Sequence, residues 1–228
     1  MNVISDIRKE FVDKYKSGHV VNGTVELIGS SFIADQDYIF GRPNFDYINR
    51  EIAWYESMSL NIYDIPGRTP RIWQDVASSK NQINSNYGYL MYSRGNGSQF
   101  YNVVETLATD PGGRRATAIY TRPSMHSDWN QDGMSDFICT NAVQYLIRDG
   151  KLNVVVQMRS NDAVFGFRND LAWQKFMQNK IIGALADQAM HVEPGDIIWN
   201  AASLHIYERH FWLLDHYRDT GIANVDLK

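Results

Sequence analysis

Three features of the 228-residue sequence predict an α+β fold, a mixed or antiparallel twisted sheet flanked by helices. Strand-like and helix-like segments are interspersed without a regular βα alternation. A hairpin signal stands out at residues 143–158, and helical periodicity recurs on either side of it.

Residues 3–16 place Ile4, Ile7, Phe11 and Tyr15 at three- and four-residue intervals with charges between them, the pattern of an amphipathic helix. VVNGTVELIGSSFIA reads as strand, with Gly29 where a bend or bulge fits. A second helix is expected over 44–58, opened by Pro43 and Asn44, with Phe45, Ile48, Ile52 and Tyr55 as its apolar stripe. VQYLIR and KLNVVVQM flank Asp149-Gly150, a dipeptide of tight hairpin turns. Asn169 and Asp170 can cap a helix running to about Ala186, with Ala172, Phe176, Ile181 and Leu185 facing the core. After Pro194-Gly195, DIIWNAASLHIY reads as strand, and FWLLDHYRDTG as a closing helix stopped by Gly221.

Hydrophobic residues make up 44% of the chain and no linker-like segment divides it, so residues 1–228 are expected to form a single catalytic domain around one core. A net charge of -4 and a pI near 5.8 argue against a phosphate-backbone surface and leave a free nucleotide open as a ligand. No run approaches the roughly 18 apolar residues of a membrane span, and MNVISDIRKEFVDKY lacks the apolar stretch of a signal peptide. A cytoplasmic location is expected. One cysteine excludes an internal disulfide.

That cysteine, Cys139, stands at the start of the hairpin. A thiolate is a strong soft nucleophile when nearby positive charge lowers its pKa, although a lone cysteine in an apolar stretch is more often a small buried hydrophobe. Arg114-Arg115 after DPGG, and Arg159-Ser160 at the end of the second hairpin strand, can hold phosphate through planar guanidinium groups or sit as solvated charges. Glu51, beside Ile52, Trp54 and Tyr55, is placed to be partly buried and perturbed. His205 and Tyr207 share one strand face and can fill core or reach a sugar hydroxyl.

Taken in order, these signals resemble the thymidylate synthase family. The resemblance is carried by CTNAVQYLIRDGKLNVVVQMRSNDAVFGFRNDLAWQ and EPGDIIWNAASLHIYERH, with EIAWY, RIWQDVASS, NSNYG and DPGGRRATAIYTRPS upstream, and it spans about residues 24–211. Within the family, TRPSM, DGMSDF, CTN, VQYLIRDGKLN and MRSND are most similar to the T-even bacteriophage deoxycytidylate hydroxymethylases, whose setting would be the cytoplasm of the phage host.

The resemblance implies that Cys139 adds to carbon 6 of the pyrimidine of dCMP, and that 5,10-methylenetetrahydrofolate supplies a one-carbon unit. Water would complete a hydroxymethyl group, with no metal. Arg159 and Ser160 would hold the 5′-phosphate together with Arg114 and Arg115 from the neighbouring subunit of a homodimer. His205 and Tyr207 would bind the deoxyribose 3′-hydroxyl. Glu51 would act as general acid/base, Tyr87 would lie near carbon 5, and Trp73 and Asp162 would meet the folate. Thymidylate synthase has asparagine at the position of Asp170; an ionised carboxylate accepts from the exocyclic amine of cytosine and opposes uracil, and the rival role is a helix cap.

Two departures from thymidylate synthase are compatible with the entry of water that hydroxymethylation needs. Its Pro-Cys-His appears here as Ile138-Cys139-Thr140, and the chain ends in ANVDLK without that enzyme's closing tail. The alternatives are a dUMP hydroxymethylase, a true thymidylate synthase, a cysteine hydrolase using one of the six histidines, and a non-catalytic nucleotide- or RNA-binding protein.

Overall fold

The structure, a computed structural model, describes residues 1–227. Strand β1 (Asn2–Val3) runs straight into helix α1 (Ile4–Lys16). Ile4, Ile7 and Phe11 of α1 are fully buried and Tyr15 is partly buried, as the spacing predicts. In β2 (Thr24–Ile33), Val25 and Leu27 alternate inward. Gly29 takes φ 72°. Ile28 still pairs with Ser203 and Ser30 with Ala201, so the expected irregularity is a local bend without a register shift.

Helix α2 (Phe45–Ser57) starts where Asn44 Oδ1 accepts the Tyr47 N–H at 3.0 Å. It buries Ile48, Glu51, Trp54 and Tyr55, whereas Phe45 is 60% exposed and Ile52 only half-buried. The buried stripe is rotated from the expected one because a carboxylate, satisfied by a neighbouring hydroxyl, occupies part of the inward face.

Residues 60–139, where no element was expected, contain α3 (Arg71–Val76), α4 (Tyr87–Tyr92), α5 (Gln99–Thr109), strand β3 (Thr117–Ile119) and α6 (Met125–Asp128); α5 does carry a helical stripe, with Phe100, Val103, Val104 and Leu107 buried, that the sequence reading missed. Four of these five span six residues or fewer, too short to show a period. Gly88 lets α4 touch α2, since a Cβ there would lie 1.7 Å from the Tyr55 carbonyl oxygen. Asn86 fixes the same junction, capping α4 and donating through Nδ2 to the carbonyls of Trp54 (3.2 Å) and Ser59 (2.8 Å).

The hairpin β4 (Thr140–Arg148) and β5 (Lys151–Met158) turns at Asp149 (φ 52°) and Gly150 (φ 73°), the two left-handed residues of a type I′ turn. Then come β6 (Asn161–Asp162), α7 (Gly166–Ala186), β7 (Glu193–Tyr207) and α8 (Phe211–Thr220), the last closed by Gly221 at φ 71°. Helix α7 begins earlier than expected, and Phe165 is its N-cap without a side-chain cap bond. Asp170 therefore lies inside the first turns of the helix and is not its cap. The buried face runs through Leu171, Gln174, Met177, Gln178, Ile181 and Leu185, leaving Ala172 and Phe176 half-buried. Gln178 is tolerated there because its Nε2 donates to the carbonyls of Leu152 (2.7 Å) and Gly195 (3.0 Å).

The sheet order is β1-β2-β7-β5-β4-β3, with β6 also on β7. It is mixed: β1–β2, β5–β7 and β6–β7 are parallel, while β2–β7, β3–β4 and β4–β5 are antiparallel. Helices α1, α5 and α7 pack against it around one apolar cluster. The alternate residues stay open, with Ile28 84% and Ile119 61% exposed. Among the described residues no helix is long and apolar enough to cross a membrane.

Candidate active site

Two irregularities in the sheet make the site. The β4–β5 register slips by one residue between Thr140 and Ala142, beside Cys139. On the other side of β5, the strand pairing with β7 breaks after Met158 and resumes at Asn161 in the same register, with Arg159 and Ser160 in a bend held by the Ser203 N–H donating to the Arg159 carbonyl at 3.2 Å. The two irregularities meet, the Arg159 N–H donating to the Cys139 carbonyl at 2.9 Å.

Arg159 folds back over this junction. Its Nε donates to the Ile138 carbonyl (2.9 Å) and its Nη2 to the Phe137 carbonyl (2.5 Å), and Nη2 stands 3.6 Å from Cys139 Sγ. The guanidinium also lies 4.7 Å from the Phe137 ring centroid. Burial pushes the Cys139 thiol up to about 11; Arg159 opposes the shift, and the carboxyls of Asp170 and Asp136 add to it. One arginine does not offset burial plus two acids.

Tyr87, at the first position of α4, joins the cysteine segment through its hydroxyl, which accepts from Thr140 Oγ1 at 3.0 Å. Asp136 grips the approach to Tyr87: its carboxylate accepts from the N–H groups of Asn84 (2.6 Å) and Ser85 (2.8 Å) and from Ser85 Oγ (2.7 Å). The segment 136–140 thus holds the segment 84–87 at both ends, with Cys139 between.

Asp170 faces this junction from α7. Asn161 Nδ2 donates to its Oδ2 at 2.7 Å, which leaves Asn161 Oδ1 buried without a partner. Burial and the neighbouring Glu51 push Asp170 up to about 8, against hydrogen bonds from Tyr87 and Asn161. Burial therefore favours the neutral carboxyl in the free protein, while the ionised form is the one the sequence expects to accept from an exocyclic amine. Glu51 is 5% exposed and is pushed up to about 7 by burial, against hydrogen bonds from Tyr47 and Trp73. Its Oε1 accepts from the Tyr47 hydroxyl, which itself accepts from the Trp73 indole N–H at 2.9 Å.

His205 is buried and neutral-leaning, its pKa lowered by desolvation, with its ring edge against Tyr207 at 5.0 Å. Asp162 pairs with His205 in the β6–β7 ladder and spends its carboxylate on the N–H groups of Val164 (2.9 Å) and Phe165 (3.3 Å). Ser160 and Trp73 are half-buried. Arg114 and Arg115 stand apart on the turn before β3, both exposed; Arg115 pairs with Asp110 at 3.0 Å, and the Arg114 carbonyl accepts from Gln144 at 2.7 Å. Residues 223–225 run beside residues 41–42, where Gly41 and Arg42 donate to the carbonyls of Ala223 (2.9 Å) and Val225 (2.8 Å) and Arg168 Nη1 donates to the Arg42 carbonyl (2.5 Å).

The structure thus brings together Cys139, Arg159, Tyr87, Asp170, Glu51 and Trp73 through a linked set of contacts, with Ser160, Asp162, His205 and Tyr207 on the adjoining strand ends. It does not bring Arg114 and Arg115 to them within one chain. Sequence reasoning passed over Tyr47, Asp136 and Asn161, and named Thr140 only as a departure beside the cysteine. Tyr47 was findable, lying four residues before Glu51 on an expected helix; Asp136 sits in a loop with no periodic signal. Among the described residues no three or more His, Cys, Asp or Glu side chains converge as a metal site.

Comparison with known proteins identifies the family. The family model described as thymidylate synthase matches residues 42–218. The chain is 55% identical over 207 residues to the deoxycytidylate 5-hydroxymethyltransferase of Enterobacteria phage T4, covering 90% of this chain and 84% of that protein. It is 55% identical over 204 residues to the enzyme of the same name from Enterobacteria phage T2, covering 89% and 83%. A thymidylate synthase of Fusobacterium nucleatum is 26% identical over 165 residues, covering 71% of this chain and 56% of that one. With its mixed sheet, its helices and a family match over most of its length, the chain belongs to the thymidylate synthase family.

Proposed function

We propose that this chain is a deoxycytidylate 5-hydroxymethyltransferase that converts dCMP, 5,10-methylenetetrahydrofolate and water to 5-hydroxymethyl-dCMP and tetrahydrofolate. The observation that carries the substrate reading is Asp170, a carboxyl held between Asn161 and Tyr87 on the same junction as the sole cysteine. Ionised against the base, the carboxylate accepts from the exocyclic amine of cytosine and has no donor for the O4 of uracil, which an amide in its place would supply. The buried, unpartnered Asn161 Oδ1 adds a second acceptor beside that amine. Identity of 55% to phage enzymes named for this reaction supports the same reading.

Cys139 Sγ bonds to carbon 6, which makes carbon 5 nucleophilic. The folate, when bound, would supply the one-carbon unit at the methylene level; carbon 5 then loses its proton, water provides the hydroxyl, and the Sγ–carbon 6 bond breaks to return the free cysteine. The thiol needs more positive charge than Arg159 alone gives it. Arg114 and Arg115 of a partner subunit supply that charge and hold the 5′-phosphate with Arg159 and Ser160. The open sheet face carrying Ile28 and Ile119 supports such a homodimer, as does the placement of both arginines away from their own chain's site. His205, kept neutral by burial, and Tyr207 bind the deoxyribose hydroxyl. Glu51, poised near neutrality, moves protons between water and the base.

The residues fit a flat, hydrogen-bonding folate ring. Trp73 has its indole N–H committed to Tyr47, which leaves a half-buried ring face to stack on, and each Asp162 oxygen keeps a lone pair. The test is turnover of dCMP and dUMP by purified protein, read by chromatography of the nucleotide and absorbance of the folate. The reading requires 5-hydroxymethyl-dCMP with tetrahydrofolate; dTMP formation with the absorbance rise of dihydrofolate overturns it.

A further inference from the structure

The hydrogen-bond chain behind Glu51 has one possible direction. An indole N–H only donates, so at 2.9 Å the Tyr47 oxygen accepts from Trp73. The single Tyr47 proton is then left for Glu51 Oε1. Tyr47 and Glu51 are four residues apart on α2, where side chains share a face, and the Tyr47 backbone is itself fixed by the Asn44 cap. Three side chains from two helices are thus ordered as Trp73 to Tyr47 to Glu51, with the Tyr47 proton on Oε1, which leaves Oε2 of Glu51 the more open to water or substrate.

We propose that Tyr47 is a positioning residue of the reaction, oriented by the Trp73 indole so that its hydroxyl proton stabilises the ionised form of Glu51 and leaves Oε2 as the oxygen that exchanges protons. This rests on the acid/base role of Glu51 stated above. A donor to a carboxylate favours the charged form, against the burial that opposes it. The groups facing Glu51 are Tyr47 and Tyr55 from its own helix, with Arg50 over the Tyr47 ring at 5.5 Å, Trp73 from α3, Tyr87 tilted against Tyr55 from α4, and Asp170 from α7. Tyr47 and Trp73 are the hydrogen-bond donors among them. The phenol stays protonated, its pKa raised by burial and by Glu51, so it serves as a fixed donor through the working pH range.

The test is the pH profile of kcat at saturating dCMP and folate for the intact enzyme and for Tyr47→Phe, Trp73→Phe and Glu51→Gln. Loss of the donor raises the Glu51 limb by about one pH unit, so Tyr47→Phe loses about ten-fold in kcat well below the limb and recovers above it, with KM for dCMP little changed. Trp73→Phe keeps the phenol, shifts the limb in the same direction by less, and reports on the chain even if Tyr47→Phe loses its fold. A loss that is uniform across pH, or an unmoved limb in both variants, overturns the role of Tyr47. Glu51→Gln separates the two readings: if it erases the limb while Tyr47→Phe leaves it in place, only the Tyr47 role fails, and if it keeps the limb, the Glu51 role fails.

Discussion

Asp170→Asn replaces a buried carboxyl by an isosteric amide and should stabilise the protein in alkaline solution. The folded chain holds the Asp170 proton up to about 8 against an ordinary value of 3.8. Because the folded pKa lies above the unfolded one, the unfolded chain releases this proton first as pH rises, and stability falls between about 4 and 8 before levelling off. At about 1.4 kcal/mol per factor of ten, the ceiling on this penalty is about 6 kcal/mol. Local relaxation and water entering around an ionised Asp170 reduce it, and about 2–4 kcal/mol is expected above pH 8. The amide can still accept from Asn161 and does not ionise. For a chain of this size, that gain corresponds to roughly 5–15 °C in Tm. Thermal unfolding of both proteins at intervals from pH 5 to 9 measures it. The difference should be small at pH 5 and grow to its full value by pH 8; parallel curves across the range would refute a buried, proton-holding Asp170.

Other variants test the rest of the site. Asp170→Asn should also lower turnover of dCMP relative to dUMP, and an unchanged ratio in paired assays counts against base reading by this residue. Gly88→Ala places a Cβ 1.7 Å from the Tyr55 carbonyl and should cost about 3 kcal/mol, seen as a Tm lower by roughly 10 °C. Asp136→Asn removes an anion that holds the thiol up, so iodoacetamide should label Cys139 several-fold faster at fixed pH; Arg159→Met should slow the same reaction. Arg114→Ala protein mixed with Cys139→Ser protein under subunit exchange should regain activity through hybrid dimers, and no recovery would contradict shared sites.

The sheet and its long helices were legible because burial there follows simple periods. Ile4, Ile7 and Phe11 mark α1, and Asp149-Gly150 marks the hairpin turn to the residue. Legibility failed where polar side chains are buried with partners. Glu51 on α2 and Gln174 and Gln178 on α7 occupy inward positions that hydrophobicity assigns to solvent, so both expected stripes were rotated. It failed again over residues 60–139, where α3, α4 and α6 are too short to show a period and are fixed by tertiary bonds such as those of Asn86 and Asp136. Cys139, Arg159, Tyr87, Asp170, Glu51 and Trp73, which the structure gathers, were named from the family motif and its order along the chain. Their ionisation was not, because the raised values of Cys139, Asp170 and Glu51 come from enclosure by segments far apart in sequence.

Release of tritium from dCMP labelled at carbon 5 reads the central claim most directly, because that hydrogen leaves only after a nucleophile has saturated the ring at carbon 6. The intact enzyme with folate should release it into water, faster from dCMP than from similarly labelled dUMP, and Cys139→Ser should release none. Equal release by the Cys139→Ser protein, or release from dUMP alone, would contradict the account.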